Sequence, residues 1–175
     1  MKKMLKLLVY LSVMLALLVF FLPKVNLYYA AEELMQKQNV YISDEEARDN
    51  GFSLELLNAS VFFDKLSLMN VGEVKISPWL VYNTVSLKMI DVNEGFSDFL
   101  PQDINFLQAQ YVFYQPTHIQ LKGESSDSFL YGDVDLINRV VSVHLRVGAQ
   151  SQKRYKKLLQ KLKKEEGGYY YEYKF

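Results

Sequence analysis

The chain has 175 residues, with 20 Lys and Arg against 20 Asp and Glu, and half of its residues are hydrophobic. This length suits one domain of ordinary size, and so apolar a composition excludes a disordered chain. The absence of cysteine excludes disulfide scaffolds, thiol catalysis and cysteine-ligated metal sites. The charges are segregated, because residues 25–149 hold 17 acidic and 8 basic side chains whereas residues 150–166 hold 7 basic and 2 acidic ones.

Residues 5–22 predict a transmembrane anchor, because Lys6 is their only charged side chain. At a rise of ~1.5 Å per residue the segment spans ~27 Å, close to the ~30 Å thickness of a bilayer's hydrocarbon core. The side chains expected to face lipid as membrane-anchor residues are Leu5, Leu8, Leu11, Leu15, Leu18 and Phe21.

The charges that flank this anchor predict its orientation. Lys2, Lys3 and Lys6 lie at its start, whereas only Lys24 follows closely. By the positive-inside rule, residues 1–4 form a cytoplasmic stub, the chain crosses the membrane once, and its bulk lies on the far side. A cleaved secretory signal has the same charge order and stays open as an alternative. In both cases the body of the chain is translocated.

Residues 25–38 predict a short amphipathic helix. Its apolar positions fall at helical spacing and occupy one face: Leu27, Ala30, Ala31, Leu34 and Met35. Such a helix either caps one end of a sheet near the membrane or continues the anchor after a break at Pro23.

From Asn39 onward the apolar pattern changes to a period of two, which is typical of strands. Asp44–Gly51 is predicted as a charged loop or helical turn, and parity breaks predict bulges near Leu56–Leu57 and at Gly72. The predicted strands are Asn39–Ser43, Ser53–Asp64, Ser67–Pro78, Asn83–Val92, Ile104–Gln115, Thr117–Gly123, Ser128–Leu136 and Arg139–Val147.

These strands predict a mainly β fold over residues 23–149, a long-stranded, curved antiparallel meander flanked by short amphipathic helices. The short connections exclude parallel βαβ units. One face of the sheet is apolar and must be covered. Either the helices close it, or it forms a groove for a lipid chain or a partner's apolar segment, lined by Leu57, Val61, Phe63, Val74, Ile76, Leu87, Met89, Tyr111 and Phe113.

Residues 150–175 predict a basic amphipathic helix over 150–166 and, after Gly167-Gly168, a C-terminal edge strand over Tyr169–Phe175. The helix could contact an anionic membrane surface or an acidic partner, or it could simply cover the sheet; nucleic acid is not the expected partner. Its basic residues are Lys153, Arg154, Lys156, Lys157, Lys161, Lys163 and Lys164.

Catalytic patterns are weak in this sequence. Asp133 and Asp135 share one strand face, while His118 and His144 stand apart from any nucleophile motif. No glycine-rich phosphate loop of a standard form occurs. The sequence therefore predicts a protein that is not an enzyme and has no cofactor or metal.

Several segments carry a family resemblance. They are the Leu22–Tyr29 stretch directly after the anchor, Asn39–Ile42, Leu54–Val61, Glu73–Ile76 and the glycine-led hairpin Phe129–Val143. Through them the chain resembles the type II secretion system protein N family and, more remotely, AsmA-like periplasmic proteins. The resemblance implies a periplasm-facing accessory of the inner membrane.

Two functions are therefore expected. The first is a scaffold or assembly component of a type II secretion-like or pilus-type machine, whose partners are membrane lipids, other subunits of the assembly and, as an open option, further copies of this chain. The alternative is a periplasmic lipid-binding or lipid-transfer module that uses the apolar face of the sheet.

Overall fold

The computed structural model describes residues 2–96, 101 and 103–175. These residues form an eleven-stranded antiparallel sheet, preceded in the chain by two helices, with two shorter helices between its ninth and tenth strands. The predicted fold class is confirmed: the chain is mainly β, with a long curved antiparallel sheet, short helices and one apolar N-terminal helix.

Helix α1 (Lys2–Phe21) is the only helix within the described residues that is long and apolar enough to cross a membrane. Its mean hydropathy reaches 2.5, and a signal sequence would have the same length and composition. The helix already begins at Lys2, so most of the predicted stub is helical, and Met1 lies outside the described residues. The six predicted anchor side chains are all exposed: Leu5, Leu8, Leu11, Leu15, Leu18 and Phe21.

After a break at Pro23, helix α2 (Lys24–Gln36) follows, as the amphipathic pattern predicts. The strands are β1 (Val40–Ser43), β2 (Glu46–Asp49), β3 (Leu54–Phe63), β4 (Leu66–Pro78), β5 (Tyr82–Val92), β6 (Asp103–Val112), β7 (His118–Ser125), β8 (Ser128–Asp135), β9 (Val140–Val147), β10 (Lys163–Glu165) and β11 (Gly168–Lys174).

Strands β3 to β9 form a meander in which each strand pairs with the next. Strands β1 and β2 both pair with β3 at one side of the sheet, and β11 pairs with β9 and β10 at the other. The two terminal strands of this order, β1 and β10, do not pair with each other, so the sheet is open.

Two predicted elements are wrong. Asp44–Gly51 is neither a loop nor a helical turn throughout, because Glu46–Asp49 forms β2. Positive φ angles at Asp44 and Gly51 turn the chain at both of its ends, and Ala47 packs against the buried cluster of Tyr28, Leu54 and Leu56.

The predicted helix over 150–166 is also wrong in extent. It consists of α3 (Ala149–Arg154) and α4 (Lys156–Leu159), separated at Tyr155. Closely spaced basic residues at helical neighbour positions, such as Lys153 and Lys157, repel one another. Lys163–Glu165 is extended and pairs with β11. Tyr169–Phe175 is therefore not the edge strand, since β10 lies outside it.

A row of irregular positions crosses four neighbouring strands. Asn58, Gly72, Met89 and Asn105 lie side by side in β3, β4, β5 and β6, where the regular pairing is interrupted. Asn58 and Met89 have φ angles of 57° and 53°. The predicted irregularity at Gly72 is confirmed, whereas the one predicted near Leu56–Leu57 occurs one residue later, at Asn58.

This row resets the alternation of side chains, so apolar residues on both sides of it face the same way. Val71 before the row in β4 and Val74 after it pack in one cluster, together with Leu87 and Ile90 of β5. Gly72 lies close to Met89: a Cβ atom at this position would lie 2.8 Å from the Met89 Cε atom, the flexible end of that side chain. The sheet thereby keeps one continuous apolar face along its long strands.

The opposite face of the sheet is polar and carries cross-strand ion pairs. Lys75 lies 2.9 Å from Glu55, and Lys88 lies 2.9 Å from Glu73. The hydrogen bond from Lys75 lowers the pKa of the Glu55 carboxyl. This face is suited to contact with water, whereas the apolar face is not.

Candidate functional site

Helix α2 lies against the apolar face of the sheet, and a partly open cavity of about 430 Å³ lies between them. Strands β3, β4 and β5 form its floor. Successive side chains of a strand point to opposite faces of the sheet, so every second side chain lies on this face. The floor residues are Leu54, Leu56, Ala59, Val61, Val71, Val74, Ile76, Val85 and Leu87. We call this cavity the α2 groove.

The wall of the α2 groove comes from one stripe of α2. Leu27, Ala31 and Met35 line it, together with Tyr28. Their spacing of four residues is what brings them onto one side of a helix. The predicted apolar stripe is therefore correct in part, because Leu34 belongs to it by pattern but is exposed.

Leu22 and Lys24, at the junction of the two N-terminal helices, also line the α2 groove. Lys24 is only 3% exposed. Its Nζ donates hydrogen bonds to the carbonyl oxygens of Phe20 and Leu22, each at 3.2 Å, and lies 3.2 Å from Asp49 Oδ1 in β2. A buried ammonium group needs such partners, so Lys24 is held in place and the groove itself stays apolar.

Tyr28 is the other polar-tipped side chain of the wall. Its hydroxyl donates a 3.0 Å hydrogen bond to Glu45 Oε1, just before β2. Burial, and then this contact with Glu45, raise the pKa of the Tyr28 phenol, so the ring stays neutral at physiological pH. The two polar atoms near the groove are thus both engaged with the protein.

The apolar face extends beyond α2 across the remaining strands. Val85 in β5 pairs with Ala109, and the row continues through Leu121, Gly132 and Val143. A parallel row of paired residues runs from Leu87 through Leu107, Gly123, Leu130 and Leu145 to Tyr169. Helix α2 contacts β1 and β2 and therefore covers only one end of this face.

At the far end, α3 and α4 approach the same face. Gln152 donates a 3.0 Å hydrogen bond to the Tyr169 hydroxyl of β11, and Leu159 and Leu162 line a second cavity with Tyr169. Within the described residues, the apolar face is consequently bordered by helices at both ends, with no helix between them.

The structure brings together four of the nine predicted groove residues. Val61, Val74, Ile76 and Leu87 line the α2 groove. Tyr111 lies two residues from Ala109 on the same face, outside that cavity.

The other four predicted groove residues are not groove residues. Leu57 pairs with Glu73 on the polar face, because the parity reset comes one residue after it. Phe63 and Phe113 end their strands, and Met89 lies in the irregular row; all three are exposed.

Leu54, Leu56 and Val71 are groove residues that the sequence analysis did not assign. The sequence feature that could have identified these residues is the three-residue spacing between apolar residues in two strands, from Leu56 to Ala59 in β3 and from Val71 to Val74 in β4. Such a step places both members on one face only if the strand is irregular between them.

The seven predicted basic residues do not lie on one helix face, although Lys153, Lys156 and Lys164 line the same cavity. Lys153, Arg154, Lys156 and Lys157 lie on α3 and α4, Lys161 follows α4, and Lys163 and Lys164 lie on β10. Arg154 contacts the ring of Tyr155, with its Cζ atom 5.6 Å from the ring centroid. A single basic helix face is therefore not available for an anionic surface or partner.

The polar groups with catalytic potential lie on the other face of the sheet. His118 Nδ1 lies 2.7 Å from Asp133 Oδ2, while His144 lies 3.4 Å from Glu165. Within the described residues no group of three or more His, Cys, Asp and Glu side chains is placed to hold a metal ion.

Comparisons of this chain with protein-family models, curated proteins and solved structures returned no match. The resemblance to type II secretion protein N and AsmA-like proteins therefore stays a prediction.

Proposed function

We propose that this protein is a membrane-anchored lipid-binding module in which the α2 groove holds an acyl chain. Helix α1 remains in the membrane with its N-terminus in the cytoplasm, and the β-domain lies on the other side. The single observation that carries the proposal is the α2 groove itself, an apolar cavity whose two polar-tipped residues are occupied by protein partners.

The size and lining of the α2 groove support this proposal. Ligand cavities in proteins commonly measure about 300–1,000 Å³ and are mainly apolar, and this one measures about 430 Å³. Each methylene group moved from water into such a site contributes about 0.8 kcal/mol. An extended hydrocarbon chain gains more from this lining than a polar ligand of equal volume, which would lose hydrogen bonds to water.

The position of the groove next to α1 supports a lipid in particular. Leu22 directly follows the end of α1 and lines the groove, and Lys24, which also lines it, binds the carbonyl groups of Phe20 and Leu22. If α1 crosses the bilayer, an acyl chain of the adjacent leaflet has a short path into the groove. A headgroup would then stay near the interface.

Native mass spectrometry of the full chain tests this proposal. The protein is released from nanodiscs in the mass spectrometer. Collisional activation is then raised until the lipid bound loosely around α1 is removed. We expect one phospholipid to remain on the wild-type chain, and less of it on an Ala31→Trp variant, whose new ring fills the groove. The proposal would be contradicted if the wild-type chain lost all of its lipid at the same collisional activation that removes the lipid around α1.

The predicted scaffold of a secretion or pilus-type machine is a second candidate, favoured by one observation. Strand β10 has all three residues exposed and pairs only with β11 in the described part of the sheet. Such an edge can accept a strand from a partner. Copurification from gently solubilised membranes should then return secretion-apparatus subunits; recovery of lipid without a protein partner would contradict this candidate.

A further inference from the structure

The hairpin tips at the two ends of the strands differ in composition. At one end the tips carry large apolar side chains, and we call this set the apolar edge: Trp79, Leu80, Val81, Phe113, Tyr114, Leu136 and Ile137. At the other end the described tips are Asp64-Lys65, Asn93-Glu94-Gly95-Phe96, Ser126-Asp127 and Glu166-Gly167, so Phe96 is their one large apolar side chain within the described residues. Phe63 and Leu66 are exposed at that second end but flank a charged turn.

Backbone hydrogen bonds show that the residues of the apolar edge follow one another along one side of the sheet. The Phe113 N–H donates to the Val81 carbonyl at 3.1 Å, and the Leu136 N–H donates to the Thr117 carbonyl at 2.8 Å. Neighbouring strands lie about 4.8 Å apart, so successive tips are about 10 Å apart. The chain ends beside them at Phe175.

The side chains of the apolar edge are exposed, although the ring of Trp79 also stacks on Phe52. Ile137 is 72% exposed and Tyr114 is 77% exposed, and Phe113 is exposed to a similar degree. Isolated apolar residues on a surface are ordinary, but a run of them along one edge indicates an interaction surface.

Aromatic contacts connect the apolar edge to the end of α1. The ring of Phe20, in the last turn of α1, lies 5.4 Å from the ring of Phe52. Phe52 in turn stacks on Trp79, with centroids 5.2 Å apart and planes within 4° of each other. The first tip of the apolar edge is therefore at the level where α1 would leave the membrane.

We infer that the apolar edge rests on the bilayer surface next to α1, with its tips in the interfacial region of that leaflet. Tryptophan and tyrosine are enriched at this level of membrane proteins, and apolar side chains that lie on a membrane reach ~5–10 Å into the boundary between headgroups and acyl chains. Arg139 in the β8–β9 tip adds a positive charge beside the headgroups, whereas the opposite tips are mostly acidic or polar.

This inference rests on the insertion of α1, which belongs to the proposed function, but not on a lipid in the α2 groove. It determines the orientation of the domain, because strands that stand on the membrane by one end place the groove-lining residues Leu22 and Pro78 toward the lipid. The end of the sheet that carries the charged and polar tips then faces away from the membrane.

Tryptophan fluorescence tests the contact, since Trp79 is the only tryptophan of the chain. The full chain is placed in phosphatidylcholine vesicles with bromine on the acyl chains close to the headgroups. In a Trp79→Phe background, Ile137→Trp puts the probe on the apolar edge far from α1. Ser126→Trp puts a matched probe at the opposite end of the same strand, β8.

We expect brominated lipid to quench Trp79 and the Ile137→Trp probe, with blue-shifted emission, and to leave the Ser126→Trp probe unquenched. Equal emission of the Ile137→Trp and Ser126→Trp probes would overturn the inference. Vesicle flotation separates the two proposals: a chain that does not float overturns the anchoring and the edge contact together, while one that floats with an unquenched Ile137→Trp probe overturns the edge contact alone.

Discussion

Lys24 and Asp49 join the membrane-proximal helices to the sheet: the Lys24 Nζ lies 3.2 Å from Asp49 Oδ1, with Lys24 buried and Asp49 about one third exposed. The same ammonium binds two carbonyl groups at the end of α1. This contact sets where the anchor ends relative to the groove, and the first prediction follows from it.

Lys24→Met removes the ammonium and leaves two carbonyl groups and one carboxylate without this donor. We expect the variant to lose about 1–3 kcal/mol of unfolding free energy, the cost of unsatisfied polar groups in a partly buried site. Chemical unfolding in detergent, followed by circular dichroism, measures it. Asp49→Asn is the matched partner for a double-mutant cycle. Additive losses in the double variant would show that the two side chains do not interact.

Ala31→Trp tests whether lipid binding requires free space in the α2 groove. Ala30 and Ala31 are both exposed, but only Ala31 is among the residues that line the groove. We expect Ala31→Trp to reduce the bound lipid several-fold and Ala30→Trp to leave it unchanged, as measured by quantitative lipid extraction from the purified full chain. Equal retention by the two variants would place the bound lipid outside the groove.

Gly168→Ala is expected to weaken the pairing of β11 with β9. A Cβ atom at this position would lie 2.2 Å from the Leu145 carbonyl oxygen, a backbone atom that cannot move aside cheaply. Overpacking of this kind costs about 1–3 kcal/mol. The control is Gly95→Ala, where the nearest atom would be 3.6 Å away. Thermal unfolding of the two variants should separate them; a similar melting temperature for both would contradict the close approach of β11 and β9.

The pair of His118 and Asp133 predicts a pH dependence. The hydrogen bond to Asp133 raises the pKa of the His118 imidazole above its ordinary value. A raised pKa in the folded state means that the contribution to stability is complete below the unfolded pKa of about 6.5 and is lost as pH rises through the folded value. Since both groups are exposed to solvent, we expect the effect to be small and to weaken with salt.

NMR titration of the His118 ring in the wild type and in Asp133→Asn measures this shift. The wild-type ring should titrate at the higher pH. Identical titration curves would show that the 2.7 Å contact does not form in solution.

Much of this fold could be predicted because its signals are local. The period-two pattern and the turn residues gave the positions of β3 to β9 to within a few residues, and the apolar run gave α1. Val61, Val74, Ile76 and Leu87 were predicted correctly as groove residues because each follows the regular alternation on its own side of the irregular row.

The remaining features depend on contacts between distant residues. The parity of Leu57 changes because Asn58 and Gly72 lie side by side in different strands, and a sequence does not show which irregular positions will align. Lys163–Glu165 is extended because β11 offers it backbone partners, which overrides its helical pattern. The apolar edge was not predicted at all, since Trp79, Phe113 and Ile137 are far apart in the chain and meet only through strand pairing.

Cross-linking with a phospholipid that carries a photoactivatable group at the end of one acyl chain tests the central claim most directly. The full chain is irradiated in vesicles, and the modified residues are mapped by mass spectrometry. A lipid held in the α2 groove predicts cross-links to floor residues such as Leu56, Val74 and Val85, which decrease in Ala31→Trp. Cross-links confined to α1, with none in β3 to β5, would contradict it.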